Sequence, residues 1–304
     1  METYTTPKTK PGASCVLALG CFDGIHVGHK AVIDTARAKA CELGVSSAVW
    51  TFLEPPKNFF APNSAPTITD FKEKQRLISD LRIDFFFCIP FDSEIRDTSP
   101  EDFLEKYILS VMDVKHIVCG FNYRFGKNAI GDTKLLSDFC SSKNIGLTVL
   151  PPTTVDGKIV SSSLIRSAVE KGEVEYAAKL LGRYYSITFI VTDGQALARK
   201  LGFPTANGSL PDNKLLIRKG VYASRVFFSG EYKYGITNVG IRPTVNGKRL
   251  CMETHLFDFS GDLYGQELTV EFLSFIRDEV KFDSLDAMSE QIHKDIEKAK
   301  KLIK

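Results

Sequence analysis

The sequence predicts two folds in one chain: an α/β domain on a mostly parallel sheet, then an antiparallel sandwich or small barrel that ends in a helix. Three observations carry this. Up to Gly182, strand-sized apolar runs alternate with segments of helical spacing, the pattern of βαβ units with helices on both faces of a sheet. Beyond it the runs are short, alternate in polarity and are split by Gly, Asn and Pro, as antiparallel strands are. Finally Leu285, Met288, Ile292, Ile296, Ala299 and Ile303 fall on one face of an amphipathic helix.

In chain order, "CVLALG" (15–20) predicts a strand, "GHKAVIDTARAKACEL" (28–43) a helix and "SSAVWTF" (46–52) a second strand. "TDFKEKQRLISDL" (69–81) predicts a helix with Asp70 and Glu73 spaced as a capping pair. "DFFFCIPF" (84–91) follows as a buried strand. "SPEDFLEKYILSVM" (99–112) offers Ser99 as N-cap and Pro100 at the first helical position. "KHIVCG" and "GLTVLPP" predict two more strands around the helix "DTKLLSDFCSS". A helix "VEYAAKLLG" (174–182) precedes the change of pattern, so the domains are 1–183 and 184–304. "YYSITFIVTDG", "GVYASRVFFSGEYKYGITNVGI", "LCMETHLFDFSG" and "QELTVEFLSFIR" supply the strands of the second.

A length of 304 residues suits two domains, and 43% hydrophobic content suffices for two cores. The net charge of +2, spread along the chain, argues against nucleic acid or an anionic membrane as partner. Apolar runs are too short to span a bilayer, and "METYTTPKTKPG" lacks a signal core. The seven cysteines form no C-x-x-C pair and read as reduced core thiols of a cytoplasmic protein, a monomer or weak oligomer.

Chemistry concentrates first in "LGCFDGIHVGHK" (19–30). A strand that passes through a Gly-rich turn into a helix presents free N–H groups and the positive end of the helix dipole. Gly24 and Gly28 would allow close approach of a ligand, with His26 just before the helix and His29 in its first turn. The helix terminus disfavours an imidazolium while the site is empty, and a bound polyphosphate draws a proton back. Two other readings stand beside this: zinc held by Cys21, His26 and His29, or two histidines packed in a core. "SSSLIR" (161–166) adds hydroxyls at a helix start and Arg166 one turn along, again suited to phosphate, or simply an N-cap followed by a surface arginine.

With H-x-G-H after a strand and S-S-S-x-x-R later, the first half resembles the nucleotidyltransferase superfamily of Rossmann-like fold. "GCFDGIHVGHKAVI", "GFNYRFGKNAIGD" and "VSSSLIR" narrow this to the FMN adenylyltransferase module of bacterial bifunctional FAD synthetases. The resemblance implies that His26, His29 and Arg166 act on ATP phosphates, with Phe22, Asp23, Gly24, Gly28, Ser162 and Ser163 in the ATP site. It implies that Asn122 and Phe125 contact flavin. The FMN phosphate, with a second pKa of about 6, attacks without a protein base. The family pattern T-F-x-P-H-P is broken here by "TFLEPP", with Pro55 in place of histidine, which predicts weakened adenylylation.

In the second half, Thr205 and Asn207 of "LGFPTANGSL" offer oxygens to a hard cation such as Mg2+. Phosphorylating an alcohol requires a base, and Glu253, on a strand among apolar residues, is a candidate, with a plain solvent-face carboxylate as the alternative. "GFPTAN", "GVYAS", "NVGIRPT", "DLYG" and "IRDEVKF" resemble the riboflavin kinase family, a six-stranded antiparallel barrel. On that resemblance Thr205 and Asn207 hold Mg2+, Glu253 is the general base, and Gly194, Arg199, Gly202 and Thr205 meet ATP. Arg277 then lies near the flavin. Ala198 stands where that family commonly has glycine. The implied substrates are ATP, riboflavin and FMN. The alternatives are a nucleotidyltransferase for another phosphorylated acceptor, or a flavin- and nucleotide-binding protein with one site weakened at Pro55 or Ala198.

Overall fold

A computed structural model describes the chain except residues 8–10, 62–63, 193–202, 204, 211–212, 229, 245–246, 260 and 304, and gives backbone alone for 241–244 and 247–250. Contacts divide it into two units, Met1–Ser162 and Ser163–Lys304.

The first unit runs β1 (Glu2–Tyr4), β2 (Ser14–Leu19), α1 (Val27–Leu43), β3 (Ser46–Phe52), α2 (Lys57–Phe60), α3 (Phe71–Asp80) and β4 (Phe85–Ile89). It continues through α4 (Ser93–Asp97), α5 (Pro100–Phe103), β5 (Asp113–Gly120), α6 (Thr133–Ser142), β6 (Gly146–Leu150) and the hairpin β7 (Thr154–Val155) and β8 (Lys158–Ile159). Six parallel strands form one sheet in the order β1-β4-β3-β2-β5-β6. The helix starts follow the sequence signals. Asp70 accepts from the Glu73 N–H at 2.8 Å, and Ser99 Oγ accepts from the Asp102 N–H at 3.1 Å with Pro100 opening the helix. Successive strand residues bury opposite faces. Leu17, Trp50, Phe87 and Phe103 fill one core, and Val16, Val49, Phe86 and Ile33 the other. Full burial of each large side chain contributes roughly 1.5–3 kcal/mol.

Three features depart from the expectation. β1 comes from the polar N-terminus: it pairs with β4, and Tyr4 stacks on Phe87 at 4.6 Å. The segment 99–112 is an α-helical turn followed by a π-helical stretch, Leu104–Leu109. Not all cysteines are core thiols, since Cys21 and Cys41 are exposed. Burial does raise the Cys15 and Cys119 thiols to about 12.

The second unit contains α7, which spans Ser162–Lys171 and so begins at the last residue of the first, and α8 (Val174–Leu181), which packs on the barrel. The barrel strands are β9 (Tyr185–Ile190), β10 (Ala206–Ser209), β11 (Gly220–Phe228), β12 (Glu231–Thr244), β13 (Gly247–Leu256) and β14 (Glu267–Arg277), followed by α9 (Leu285–Leu302). They pair antiparallel in the order β10-β13-β12-β11-β14-β9. The Thr192 N–H donates to Asn207 O at 2.8 Å and brings the two edges together, so the sheet is a nearly closed barrel and not a sandwich. Its buried hydroxyls form a ladder, Ser224 to Thr237 at 2.8 Å and Thr237 to Thr254 at 2.9 Å, which leaves none of the three unsatisfied. Gly208 is obligatory, because a Cβ there would lie 1.8 Å from the Phe189 ring. Ile296 and Ala299 of α9 pack on Val221, Ala223, Ile236 and Ile276.

Candidate active sites

In the first unit, β2 lies between β3 and β5, and the chain order diverges on either side of it: β3, β4 and β1 one way, β5 and β6 the other. Such a switch point opens a crevice at the carboxyl ends of the strands, where α/β proteins take their ligands. The 20–26 turn occupies that position. Phe22, Gly24 and Ile25 have φ of 41°, 89° and 37°, so two non-glycine residues hold the left-handed region. That strain, of order 1–3 kcal/mol per residue, persists only where the surroundings enforce it. Here they do. Thr51 Oγ1 donates to Cys21 O at 2.7 Å, the Gly24 N–H donates to Thr69 Oγ1 at 3.1 Å, and Ser162 Oγ donates to Asp23 O at 2.9 Å. Asp23 Oδ1 accepts from the Ile68 and Thr69 N–H groups at 3.0 and 3.3 Å.

The turn delivers His26 as the N-cap of α1. His26 Nδ1 accepts from the His29 N–H at 3.2 Å, so a neutral ring carries its proton on Nε2. The His26 and His29 rings stack with centroids 3.5 Å apart and 15° between planes, and Phe22 meets His29 edge-on at 5.3 Å. A Cβ on residue 28 would come within 3.2 Å of the His26 ring, so glycine is what lets that ring lie over the helix start.

Among the other expected residues, Phe22 and Asp23 turn their side chains inward, at 1% and 4% exposure, which leaves only their backbone to a ligand. Asn122 is exposed just beyond β5. Phe125 is 5% exposed and stacks on Tyr123 at 5.5 Å, so its ring is packed in the core. Ser163 and Arg166 follow Ser162 on α7, within the second unit. Pro55 leads into α2, its carbonyl accepting from the Asn58 N–H at 2.9 Å. Among the described residues no group of three His, Cys, Asp or Glu side chains could hold a metal, which leaves the zinc alternative without geometry.

In the barrel, strand register assembles the second site. Asn207 of β10 pairs with Glu253 of β13, and Glu253 pairs on its other side with Asn238 of β12. Directly opposed residues share a face, so the carboxylate lies between two carboxamides. A cavity of about 200 Å³ is lined by Glu253, Asn238, Thr205 and Arg277 together with Glu279, Phe282 and Met288. Thr205 also lines a second cavity of about 500 Å³, with Val191, Thr254, Leu256 and Tyr264. Asn207 Nδ2 donates to Thr205 Oγ1 and O, each at 3.2 Å, which leaves Oδ1 as the amide's remaining polar atom.

Arg277 is fixed from α9. Its Nε donates to Asp295 Oδ1 at 2.9 Å, its Nη2 to Oδ2 at 2.7 Å, and Gln291 Nε2 donates to Oδ1 at 2.9 Å. Gly194, Arg199 and Gly202, with Ala198, lie outside the described residues. Thr51, Thr69, Asn238 and Asp295 were not foreseen. Only strand register and tertiary pairing reveal them, and neither is written in local sequence pattern.

The sequence model of the family described as FAD synthetase matches residues 8–164, and that of riboflavin kinase matches 181–303. The bifunctional riboflavin kinase/FMN adenylyltransferase of Bacillus subtilis is 37% identical over 292 residues, covering 94% of this chain and 92% of its own. That of Pseudomonas fluorescens is 37% identical over 291 residues, covering 95% and 93%. A solved structure described as a macrolide-efflux protein from Streptococcus pneumoniae is 30% identical with a TM-score of 0.89, covering 96% of this chain and 97% of that one. Among the described residues of this chain no helix is long and apolar enough to cross a membrane.

Proposed function

The chain belongs to the family of bifunctional riboflavin kinases and FMN adenylyltransferases, and on that premise we propose how its residues divide the two reactions. The enzyme phosphorylates riboflavin with ATP to give FMN, then adenylylates FMN with ATP to give FAD and pyrophosphate. We set the boundary between the activities at residues 183/184.

For the kinase, the observation that carries the reading is the row Asn207–Glu253–Asn238 beside a cavity whose Thr205 also lines a second cavity. Riboflavin belongs in the smaller cavity beside Glu253, and ATP in the larger. Glu253 accepts the proton of the flavin's terminal ribityl hydroxyl as that oxygen attacks the γ-phosphorus and ADP leaves. Thr205 Oγ1 and Asn207 Oδ1 are neutral, hard oxygens, a donor set suited to Mg2+, which keeps most of its waters and relies on substrate phosphates. Bound there, Mg2+ would neutralise charge on the transferred phosphoryl group. Arg277, tied to Asp295, fixes the wall that α9 contributes to the flavin cavity.

For the adenylyltransferase, the strained turn at the switch point carries the reading. A phosphate oxygen of FMN attacks the α-phosphorus of ATP and displaces pyrophosphate. That nucleophile is already an anion, so the protein's task is orientation and charge stabilisation. His26 Nε2–H and His29 donate to the phosphates together with the first N–H groups of α1. Asn122 orients the flavin substrate, and Ser163 and Arg166 are assigned to ATP from the sequence pattern. Time-resolved chromatography of flavins from one reaction with riboflavin, ATP and Mg2+ tests the whole: FMN should rise first and FAD follow. FMN that accumulates without FAD removes the adenylyltransferase assignment.

A further inference from the structure

We infer that Lys74 is the standing counter-charge of the 20–29 segment, a positioning residue whose buried ammonium is balanced by the polyphosphate bound there and not by a carboxylate of the protein. This deepens the reading of that segment as the nucleotide site and rests on it.

Lys74 lies on α3 and is 1% exposed. Lysine is almost never buried to that extent unless paired with an anion. Its Nζ donates to Phe52 O at 2.8 Å and Leu53 O at 3.5 Å, both backbone carbonyls, and among the described residues no carboxylate pairs with it. A desolvated charge without a counter-ion destabilises the protein that holds it. An anion brought nearby relieves the penalty, because the interaction acts through a medium of low dielectric.

The surroundings specify which anion. Phe52 and Leu53 directly follow Thr51, whose hydroxyl holds the Cys21 carbonyl. Thr69, on the segment that opens α3, accepts from the Gly24 N–H. The same two pieces of chain therefore grip the turn and house the ammonium. Burial raises the Cys88 thiol to about 11 and the Lys74 charge opposes that rise, so the charge is felt at the end of β4, beside β3. The turn thus has α1 N–H groups and two imidazoles as donors and a fixed cation behind the neighbouring strand end. A ligand of several negative charges answers that arrangement; a neutral flavin does not.

The competing role is a peg: an amine that merely ties two strand-end carbonyls. Three measurements on the full chain separate the two. Lys74→Met should raise the KM for ATP in FMN adenylylation about tenfold or more, leave the kinase's KM for ATP unchanged, and not lower the unfolding temperature of the ligand-free protein. Lys74→Arg, which keeps the charge, should return the adenylylation KM to within about threefold of the parent value. An unchanged KM in Lys74→Met overturns the inference, as does a lowered ligand-free unfolding temperature with Lys74→Arg equally impaired. His29→Ala, run in parallel, tells the two levels apart. If it leaves adenylylation intact, the nucleotide site itself is misassigned; if it impairs adenylylation while Lys74→Met does not, only the role of Lys74 fails.

Discussion

Replacing Asp295 by Asn leaves the shape of the α9 contact nearly unchanged and removes its charge, so the effect isolates the ion pair with Arg277. The Asp295 side chain is 3% exposed and that of Arg277 20%. Breaking one partner of a buried pair costs about 3–5 kcal/mol, mostly because the remaining charge is left uncompensated. Arg277 retains its Nη1 bond to Asp278 O at 2.9 Å and some contact with water, which lowers the expectation to about 2–3 kcal/mol. For a unit of this size that corresponds to a fall of roughly 6–10 °C in unfolding temperature. Met288 and Ile292 of the same helix line the cavity proposed for riboflavin, so the KM for riboflavin should rise along with it. Thermal unfolding of the full chain, combined with kinase kinetics, measures both. The Arg277→Met/Asp295→Leu pair, which removes both charges, should recover most of the lost stability. A fall below about 2 °C in the single variant, or a double variant no more stable than it, would refute the reasoning.

Three further outcomes follow from the two sites, and a fourth from His116. Glu253→Gln should lower riboflavin phosphorylation by about 10²–10⁴-fold and leave adenylylation of added FMN intact; equal damage to both reactions would mean the base is misassigned. His29→Ala should do the reverse, lowering FAD formation about 10²–10³-fold with kinase activity preserved in the same preparation. Thr205→Val should raise the Mg2+ concentration needed for half-maximal kinase rate severalfold, read from a metal titration. His116 supplies a pH test. Burial, with the Lys39 charge, holds its imidazole below the ordinary value, against Glu42, so the unfolded chain binds the proton more readily. Stability then declines as pH falls below about 6.5, and His116→Gln should flatten that decline in unfolding temperature measured between about pH 7 and 5.

What the sequence disclosed, it disclosed through local rules. Asp70, Ser99 and Pro100 sit at the helix starts their types foretold, because capping involves residues three apart. Apolar runs marked every strand of the parallel sheet except β1, whose "ETY" is too short and polar to form one and pairs with the edge that β4 offers. His26 and His29 were legible from their place between strand and helix. The grip on their turn was not, since Thr51 and Thr69 reach it from distant segments. Glu253 was legible as a candidate, but its position between Asn207 and Asn238 is a fact of register, and register is fixed by long-range pairing. The inward turn of the Phe125 ring was not legible either, because a motif places a residue in a loop and does not say which way its ring turns.

In the proposed assignment the two sites use carboxylates in opposite ways, and the difference follows from their nucleophiles. An alcohol holds its proton far above neutral pH, so its attack on phosphorus needs an acceptor at the reacting oxygen. On the proposed assignment Glu253 meets that need, on its strand with carboxamides on either side. A phosphate monoester has shed most of its second proton at pH 7, and an added carboxylate would only repel it and the triphosphate it attacks. The one carboxylate of the 20–26 turn, Asp23, is accordingly turned inward onto the Ile68 and Thr69 amides, where it shapes the turn with its charge held away from the crevice. On that assignment adenylyl transfer needs no protein base, and it should be far more sensitive than the kinase to any change that adds negative charge at the start of α1.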